Sequence, residues 1–210
     1  MELKLRQEEE KDYRTVEELT REAFWNVHSP GCDEHLLVHQ LRAKNEFVKA
    51  LDFVAVYDDK IVGNIIYTET KIIENEDEFN VLTFGPVSVL PEYQNKGIGS
   101  QLIIYTGQLA LEMGYKAILI YGDPEFYKRF GFKESKNYKI TNKDKKYPAA
   151  LLVWELYPNA LNGIEGIFDD GDIYGIDQKE LIDFEKGFEK KEKKVTKTQE
   201  RFLEMVNKFL

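Results

Sequence analysis

The six residues Gln94-Asn95-Lys96-Gly97-Ile98-Gly99 constrain what this chain can fold into more than any other stretch. An apolar segment, Leu82 to Leu90, precedes them and an amphipathic one, Ile98 to Met113, follows. That order predicts a strand, a bare turn and a helix. Glycines in such a turn remove the side chains that keep an anion away from the backbone. The first turn of the helix then offers N–H groups without intrahelical partners, together with the positive end of its dipole. The combination describes a phosphate cradle. Spacing excludes two well-known versions of it. A Walker loop needs a lysine directly after its last glycine, and no lysine follows Gly99. A dinucleotide fingerprint needs a third small residue three positions after its second glycine, where this chain has Leu102.

What remains is Q-x-x-G-x-G, and a second pattern follows it. The apolar run Tyr115-Lys116-Ala117-Ile118-Leu119-Ile120-Tyr121 leads into Phe126-Tyr127-Lys128-Arg129-Phe130-Gly131-Phe132, an F-Y-x-x-x-G-F arrangement. In this order and at this separation the two patterns resemble the acetyl-CoA loop and the second landmark of the GNAT N-acetyltransferase superfamily. The resemblance covers the chain from Leu3 to Tyr157, most specifically Phe84 to Phe132. The opening helices, the Glu34-His35-Leu36-Leu37 region and the Phe84-Gly85-Pro86-Val87 strand look most like the YhbS-type predicted acetyltransferases. The resemblance implies an α/β fold with a mixed central sheet of six or seven strands that splays beside Val87. It also implies acetyl-CoA as acyl donor and direct transfer to a primary amine in a ternary complex.

Taken in order, Leu3 and Leu5 alternate with Lys4 and Arg6 as in a half-buried strand. Tyr13, Val16, Leu19, Ala23 and Phe24 recur at helical spacing, and Pro30-Gly31 breaks the segment that follows. A second helix starts near Asp33, a candidate N-cap. Phe53 to Tyr57 and Ile61 to Thr68 flank the turn Asp58-Asp59-Lys60 and form a hairpin. Asn75 to Glu78 reads as the next turn, and Val81 to Leu90 as the central strand. Gly85-Pro86 inside that strand predicts a bulge, because proline cannot donate to a ladder. Gly114 ends the long helix that starts at Ile98. Pro124 opens a short helix, and Ala149 to Tyr157 forms a late strand.

Beyond Pro158 the character changes. Glu165 to Glu185 holds eight acids against Lys179, and Lys186 to Lys197 holds six lysines against two glutamates. Residues 1–157 are therefore expected to be the acetyltransferase domain, and residues 158–210 an extension packed on it. Gly163, Gly166, Gly171 and Gly175 predict irregular but ordered structure at its start. Thr198 is a candidate cap for a final helix whose apolar end, Phe209-Leu210, suits docking on the core or on a second copy in a homodimer. The lysine run reads as a solvated segment, with a clamp on the CoA phosphates as the functional alternative.

The formal net charge of −9 argues against general nucleic-acid binding, and no apolar run approaches the roughly 20 residues of a membrane span. Acids follow the first residues directly, so no secretory signal is expected. Cys32 is the single cysteine, which excludes an intrachain disulfide and suits the cytoplasm.

Acyl transfer to an amine needs a base, a stabilised oxyanion and a proton for the thiolate. The resemblance assigns the oxyanion to the Val87 backbone N–H and the proton to Tyr127. It assigns CoA binding to Val87, Ser88, Val89, Gln94, Asn95, Lys96, Gly97, Ile98, Gly99 and Ser100. The glutamate that histone-type members carry before the bulge is absent, since Val81 and Leu82 stand there. The base is left open among Glu69, Glu92, Asp123 and a water chain. Trp25, Asn26, His28 and Ser29 lie where the acceptor, a small-molecule amine, is expected to meet the protein. His35 and His39 have a metal-compatible spacing but lack the H-E-x-x-H glutamate, so no metal is expected. Nothing adjacent to Cys32 lowers its thiol pKa. A rival of another class is a non-catalytic acyl-CoA-binding sensor or scaffold, whose cradle would be identical.

Overall fold

Apolar β-formers in alternation build a sheet whose strands were mostly foreseen, and their pairing decides where it opens. The computed structural model describes residues 2–210. The strands are β1 (Leu3–Gln7), β2 (Phe53–Tyr57), β3 (Lys60–Glu74), β4 (Asp77–Val89), β5 (Ala117–Tyr121), β6 (Lys133–Glu134), β7 (Ile140–Thr141), β8 (Leu151–Glu155) and β9 (Gly166–Asp169). The helices are α1 (Tyr13–Phe24), α2 (Glu34–Leu41), α3 (Ile98–Glu112), α4 (Pro124–Tyr127), α5 (Gln178–Glu185) and α6 (Lys197–Val206). Seven strands follow the path β1-β2-β3-β4-β5-β8-β6, while β9 pairs with β3 and β7 with β9. All neighbours are antiparallel except β4–β5 and β7–β9.

The hairpin β3–β4 is longer than the sequence reading gave it. It runs to Glu74 and resumes at Asp77, so the expected turn at Asn75 to Glu78 shrinks to its first residues. Gly85-Pro86 is the bulge: Ile65 faces Val87 and Tyr67 faces Phe84, which leaves Gly85 and Pro86 opposite Ile66 alone. Gly85 adopts φ +155°, a conformation that only glycine holds without strain.

Side-chain alternation along β4 separates the two faces. Ser88 turns toward α1, where its hydroxyl lies 2.9 Å from that of Thr20. Val87 and Val89 turn toward the N-terminus of α3, within van der Waals reach of a Cβ at Gly99. Tyr67 also faces α3 and hydrogen-bonds Thr106 across 2.8 Å. The core combines Val16, Leu19, Val38 and Leu41 of α1 and α2, the inner residues of β2 to β5, and Leu102, Ile103 and Ala110 of α3. A second cluster joins Ile72, Val81, Leu119, Leu151 and Val153 to Leu161, Ile164 and Phe168. Gly107 lets α3 close on Trp154, whose ring would lie 2.4 Å from a Cβ there.

The parallel pair β4–β5 meets at one ladder position, Leu82 with Ile118. Beyond it β4 runs on to Val89 and β5 to Tyr121 without pairing again. The bulge bends β4 away, and the sheet opens into a cleft.

The segment after Pro158 is more regular than its glycines implied. β9 extends the sheet against Lys71 to Ile73, and α5 was not foreseen. The closing helix begins two residues earlier than a Thr198 cap would give, capped by Thr196 and Gln199 instead. Between α5 and α6 the chain is strapped to α1. The Arg21 guanidinium is buried and makes two 2.9 Å bonds to the Glu185 carboxylate. Trp25 Nε1 and Asn26 Nδ2 donate to the Glu192 carbonyl, and Lys194 N donates to Asn26 Oδ1. The lysine run is thus not simply solvated: Lys191 pairs with Glu22, and the Lys193 stem lies against Gly31. Through these contacts it borders the α1–α2 loop. After α6 the chain docks on its own core, with Leu210 N donating to the Tyr147 carbonyl and Ala149 N to that of Lys208. No helix among the described residues is long and apolar enough to cross a membrane.

Candidate functional site

At the α3 end of the cleft the turn Gln94–Gly97 is shaped by two left-handed residues, Asn95 at φ 59° and Gly97 at φ 80°. Gln94 Nε2 ties it to the Val89 carbonyl, and Lys96 Nζ to that of Glu92. The first backbone bond of α3 runs from Gln101 N to the Gly97 carbonyl. Among the described residues the N–H groups of Gly97, Ile98, Gly99 and Ser100 have no acceptor. A Cβ at Gly97 would project into open space. Four unpaired donors at a helix N-terminus, with a clear approach, fit a diphosphate.

The other end of the cleft opens into a cavity of about 470 Å³. Its walls come from the bulge (Phe84 to Val87), the end of β5 with Gly122 and Asp123, and Tyr127 of α4. The far wall comes from Phe24, His28, Glu34 and Leu37 on one side and Phe202, Met205 and Val206 of α6 on the other. Phe168, Asp170 and Tyr174 complete it. The structure therefore gathers Val87, Tyr127, Asp123 and His28 around one space.

Tyr127 lies among Phe84, Phe126, Phe130 and Phe132, with ring centroids 4.9 to 6.2 Å away. Burial pushes its phenol well above the ordinary value, and the Asp123 charge adds to this. Its hydroxyl has no hydrogen-bond partner among the described residues, so it is protonated and free to donate. Gly122 underlies it: a Cβ there would stand 2.4 Å from Tyr127 Cε2. Sequence reasoning overlooked Gly122, although a glycine directly after an apolar parallel strand and before the Asp123-Pro124 helix start was a visible signal.

The three carboxylates named as bases fare differently. Glu69 is exposed and accepts a hydrogen bond from Tyr115, outside the cavity. Glu92 is exposed and paired with Lys60 across 3.0 Å, also outside it. Asp123 borders the cavity, yet one oxygen caps α4 by accepting from Glu125 N and the other accepts from Arg201 at 2.6 Å. Of the residues expected to meet the acceptor, only His28 lines the cavity. Trp25 and Asn26 are consumed by the strap, and Ser29 is exposed beyond the rim.

His28 has a partner the sequence did not reveal. Its Nδ1 lies 2.8 Å from Glu34 Oε1, and Glu34 Oε2 accepts from Asp33 N at 3.2 Å. This replaces the expected cap, for the Asp33 side chain makes no capping bond. The imidazole stacks on Phe202 at 4.3 Å and 23°.

The remaining histidines and the cysteine do other work. His39 Nδ1 lies 2.8 Å from Glu17. His35 is fully buried, with Nε2 2.8 Å from Glu185 Oε1 but out of hydrogen-bonding alignment, and burial pulls its pKa down to about 4. Cys32 is buried beside it, and burial pushes the thiol far above its ordinary value. Among the described residues no group of three or more His, Cys, Asp or Glu is arranged to hold a metal ion.

Comparison with known proteins bears on this geometry. Residues 49–134 match the family model of the acetyltransferase (GNAT) domain. The uncharacterized N-acetyltransferase YhbS of Escherichia coli K12 is 31% identical over 156 residues, covering 68% of this chain and 90% of YhbS. The crystal structure of Escherichia coli YhbS in complex with CoA superposes with a TM-score of 0.72 at 24% identity, over 82% of this chain and 91% of that one. A GNAT family acetyltransferase from Brucella melitensis in complex with acetyl-CoA gives 0.66 at 26% identity, over 83% and 99%.

Proposed function

The chain belongs to the GNAT N-acetyltransferases, and from that premise we propose that it binds acetyl-CoA along the β4–β5 cleft and acetylates a primary amine of a small molecule by direct transfer in a ternary complex. The observation that carries this reading is the cleft itself. Unpaired amides at Gly97 to Ser100 stand at one end of it and a protonated, unpartnered phenol at the other. Both related structures named above hold CoA or its acetyl ester.

In this reading acetyl-CoA supplies the activated acetyl group. The turn Gln94 to Ser100 holds its diphosphate. The freed edge of Val87, Ser88 and Val89 offers backbone groups to the pantetheine amides. The Val87 N–H stabilises the oxyanion that develops as the amine attacks the carbonyl. Tyr127 donates first a hydrogen bond and then a proton to the departing thiolate, which its high pKa keeps available over the whole physiological range. A walled cavity of about 470 Å³ suits a small molecule better than a polypeptide end. Residues 1–157 serve as the catalytic domain and residues 158–210 as an extension packed on it. A cytoplasmic location agrees with the single, buried cysteine.

The test combines a thermal-shift titration with CoA and a CoA-release assay over a panel of amines. CoA is expected to raise the melting temperature of wild type and Tyr127→Phe alike, while Tyr127→Phe lowers kcat on the order of a hundredfold or more. Tight CoA binding with no turnover on any amine would instead favour the sensor.

A further inference from the structure

We propose that His28, held by Glu34, is the base that takes the protons of the acceptor, and that the acceptor is an arylalkyl primary amine. This rests on the acetyl-transfer reading and supplies the two parts it leaves open. The sheet-borne glutamate of other members is replaced by Val81 and Leu82, and neither Glu69 nor Glu92 reaches the cavity. Asp123 has both oxygens engaged. Among the described residues, His28 alone combines a place on the cavity wall with a ring nitrogen that has no partner. Nδ1 faces the Glu34 carboxylate at 2.8 Å, so the tautomer with Nδ1–H donating is the one the geometry favours. Nε2 then carries the lone pair, and it has no partner among the described residues. The Asp33 N–H fixes the carboxylate in turn. Base and orienter follow the logic of an activated pair. The His28 side chain is 37% exposed and that of Glu34 13%, so the ring can pass protons on to solvent while the carboxylate stays sheltered.

The cavity wall selects the amine. Phe24, Phe202, Met205 and Val206 present an apolar surface beside His28, and Phe126 and Tyr127 face it from α4. The carboxylates near the space already have partners: Asp123 pairs with Arg201, Glu34 with His28, and Asp170 shares Lys143 with Asp169 and Asp172. A polyamine would leave its second charge facing hydrocarbon, at a cost that an aromatic ring avoids.

A bound ammonium must lose two protons to become an amide. His28 Nε2 takes the first before attack and the second as the C–N bond forms, releasing each to solvent. The C–S bond breaks, its electron pair stays on sulfur, and sulfur takes the Tyr127 proton. Solvent restores that proton, so one proton is released for each turnover.

The experiment measures CoA release with phenethylamine and with spermidine, from about pH 6 to about pH 9, for wild type, His28→Gln and Glu34→Gln. A CoA thermal shift on each variant checks fold and donor binding. The groups bearing on His28 in this range are Glu34 and Asp33 beside it, with Asp123–Arg201 and Asp170–Lys143 across the cavity. The expected result is a kcat/KM at least tenfold higher for phenethylamine than for spermidine. His28→Gln should lower kcat on the order of a hundredfold and remove the acid limb of the profile, with the CoA shift unchanged. Glu34→Gln should move that limb and lower kcat less. Preference for spermidine, or an acid limb and kcat unchanged in both variants, overturns this inference and leaves acetyl transfer standing. Wild type that transfers to neither amine nor to any other primary amine overturns the acetyl-transfer reading and this inference with it.

Discussion

The two ends of the β4–β5 cleft are built from different material. The α3 end is made of backbone: the turn Gln94 to Gly97 with its two left-handed residues, and the N–H groups of Gly97 to Ser100, which have no acceptor among the described residues. The cavity end is made of side chains brought from α1 and its loop, α2, the bulge, α4, β9 and α6. A backbone site needs only local chain geometry, so evolution can keep it in a short string of residues. A side-chain site depends on how distant segments pack, and each segment can change independently. The first is suited to a donor group common to many enzymes, the second to an acceptor that differs among them.

The largest effect expected from breaking this contrast is at the cavity end. Gly122→Ala would place a Cβ 2.4 Å from Tyr127 Cε2, and the phenol must move. A displacement of that order costs about a hundredfold in kcat, with the CoA-induced thermal shift retained. Steady-state kinetics and a CoA melt on the same preparation check both halves.

Gly97→Ala tests the other end. The residue sits at φ 80°, where an L side chain costs about 1 kcal/mol or somewhat more. Because the amides depend on that conformation, the CoA shift should shrink while kcat at saturating donor changes little. Isothermal titration with CoA gives the affinity, expected to fall about tenfold if roughly 1.4 kcal/mol of donor binding is lost.

A smaller effect sharpens the contrast through pH. The cavity end leans on the strap anchored by Arg21 and Glu185 beside His35. Burial would raise the Glu185 carboxyl, but the Arg21 bonds outweigh it and hold it below the usual range. His35 is held neutral down to about 4, mainly by burial, against an ordinary value of 6.5. Between those limits the unfolded chain binds a proton that the native chain does not. Stability therefore rises with pH through this window and is lost on acidification from about 6.5 toward about 4. Urea melts at the two ends of the window should show the loss, and His35→Gln should flatten it.

The same contrast explains what the sequence disclosed. The cradle, the bulge and the Tyr127 landmark were legible because each is a local pattern whose residues act through their own backbone or near neighbours. The β3–β4 hairpin was read short at Thr68 because Lys71 and Glu78, charged and exposed, pair with each other across the strands beyond the apolar core. β9 was hidden because it depends on Gly166, whose Cβ would stand 2.2 Å from the Ile73 carbonyl oxygen, and that approach is a tertiary fact. Trp25 and Ser29 were placed at the acceptor because the family resemblance turns the loop between the first two helices toward it. The strap, which no local pattern encodes, took Trp25 for itself. Glu34 and Phe202 were read only as parts of their helices, because their contacts with His28 are made in the folded chain.

The central claim is that one continuous cleft, opened where β4 and β5 part beyond Leu82 and Ile118 and closed by the turn before α3, receives the thioester donor. Amide hydrogen exchange with and without CoA tests it most directly. The account predicts added protection at Gly97 to Ser100 and along Val87 to Val89, alongside a raised melting temperature. An unmoved melting curve, with exchange at both stretches the same in the presence of CoA, would contradict it.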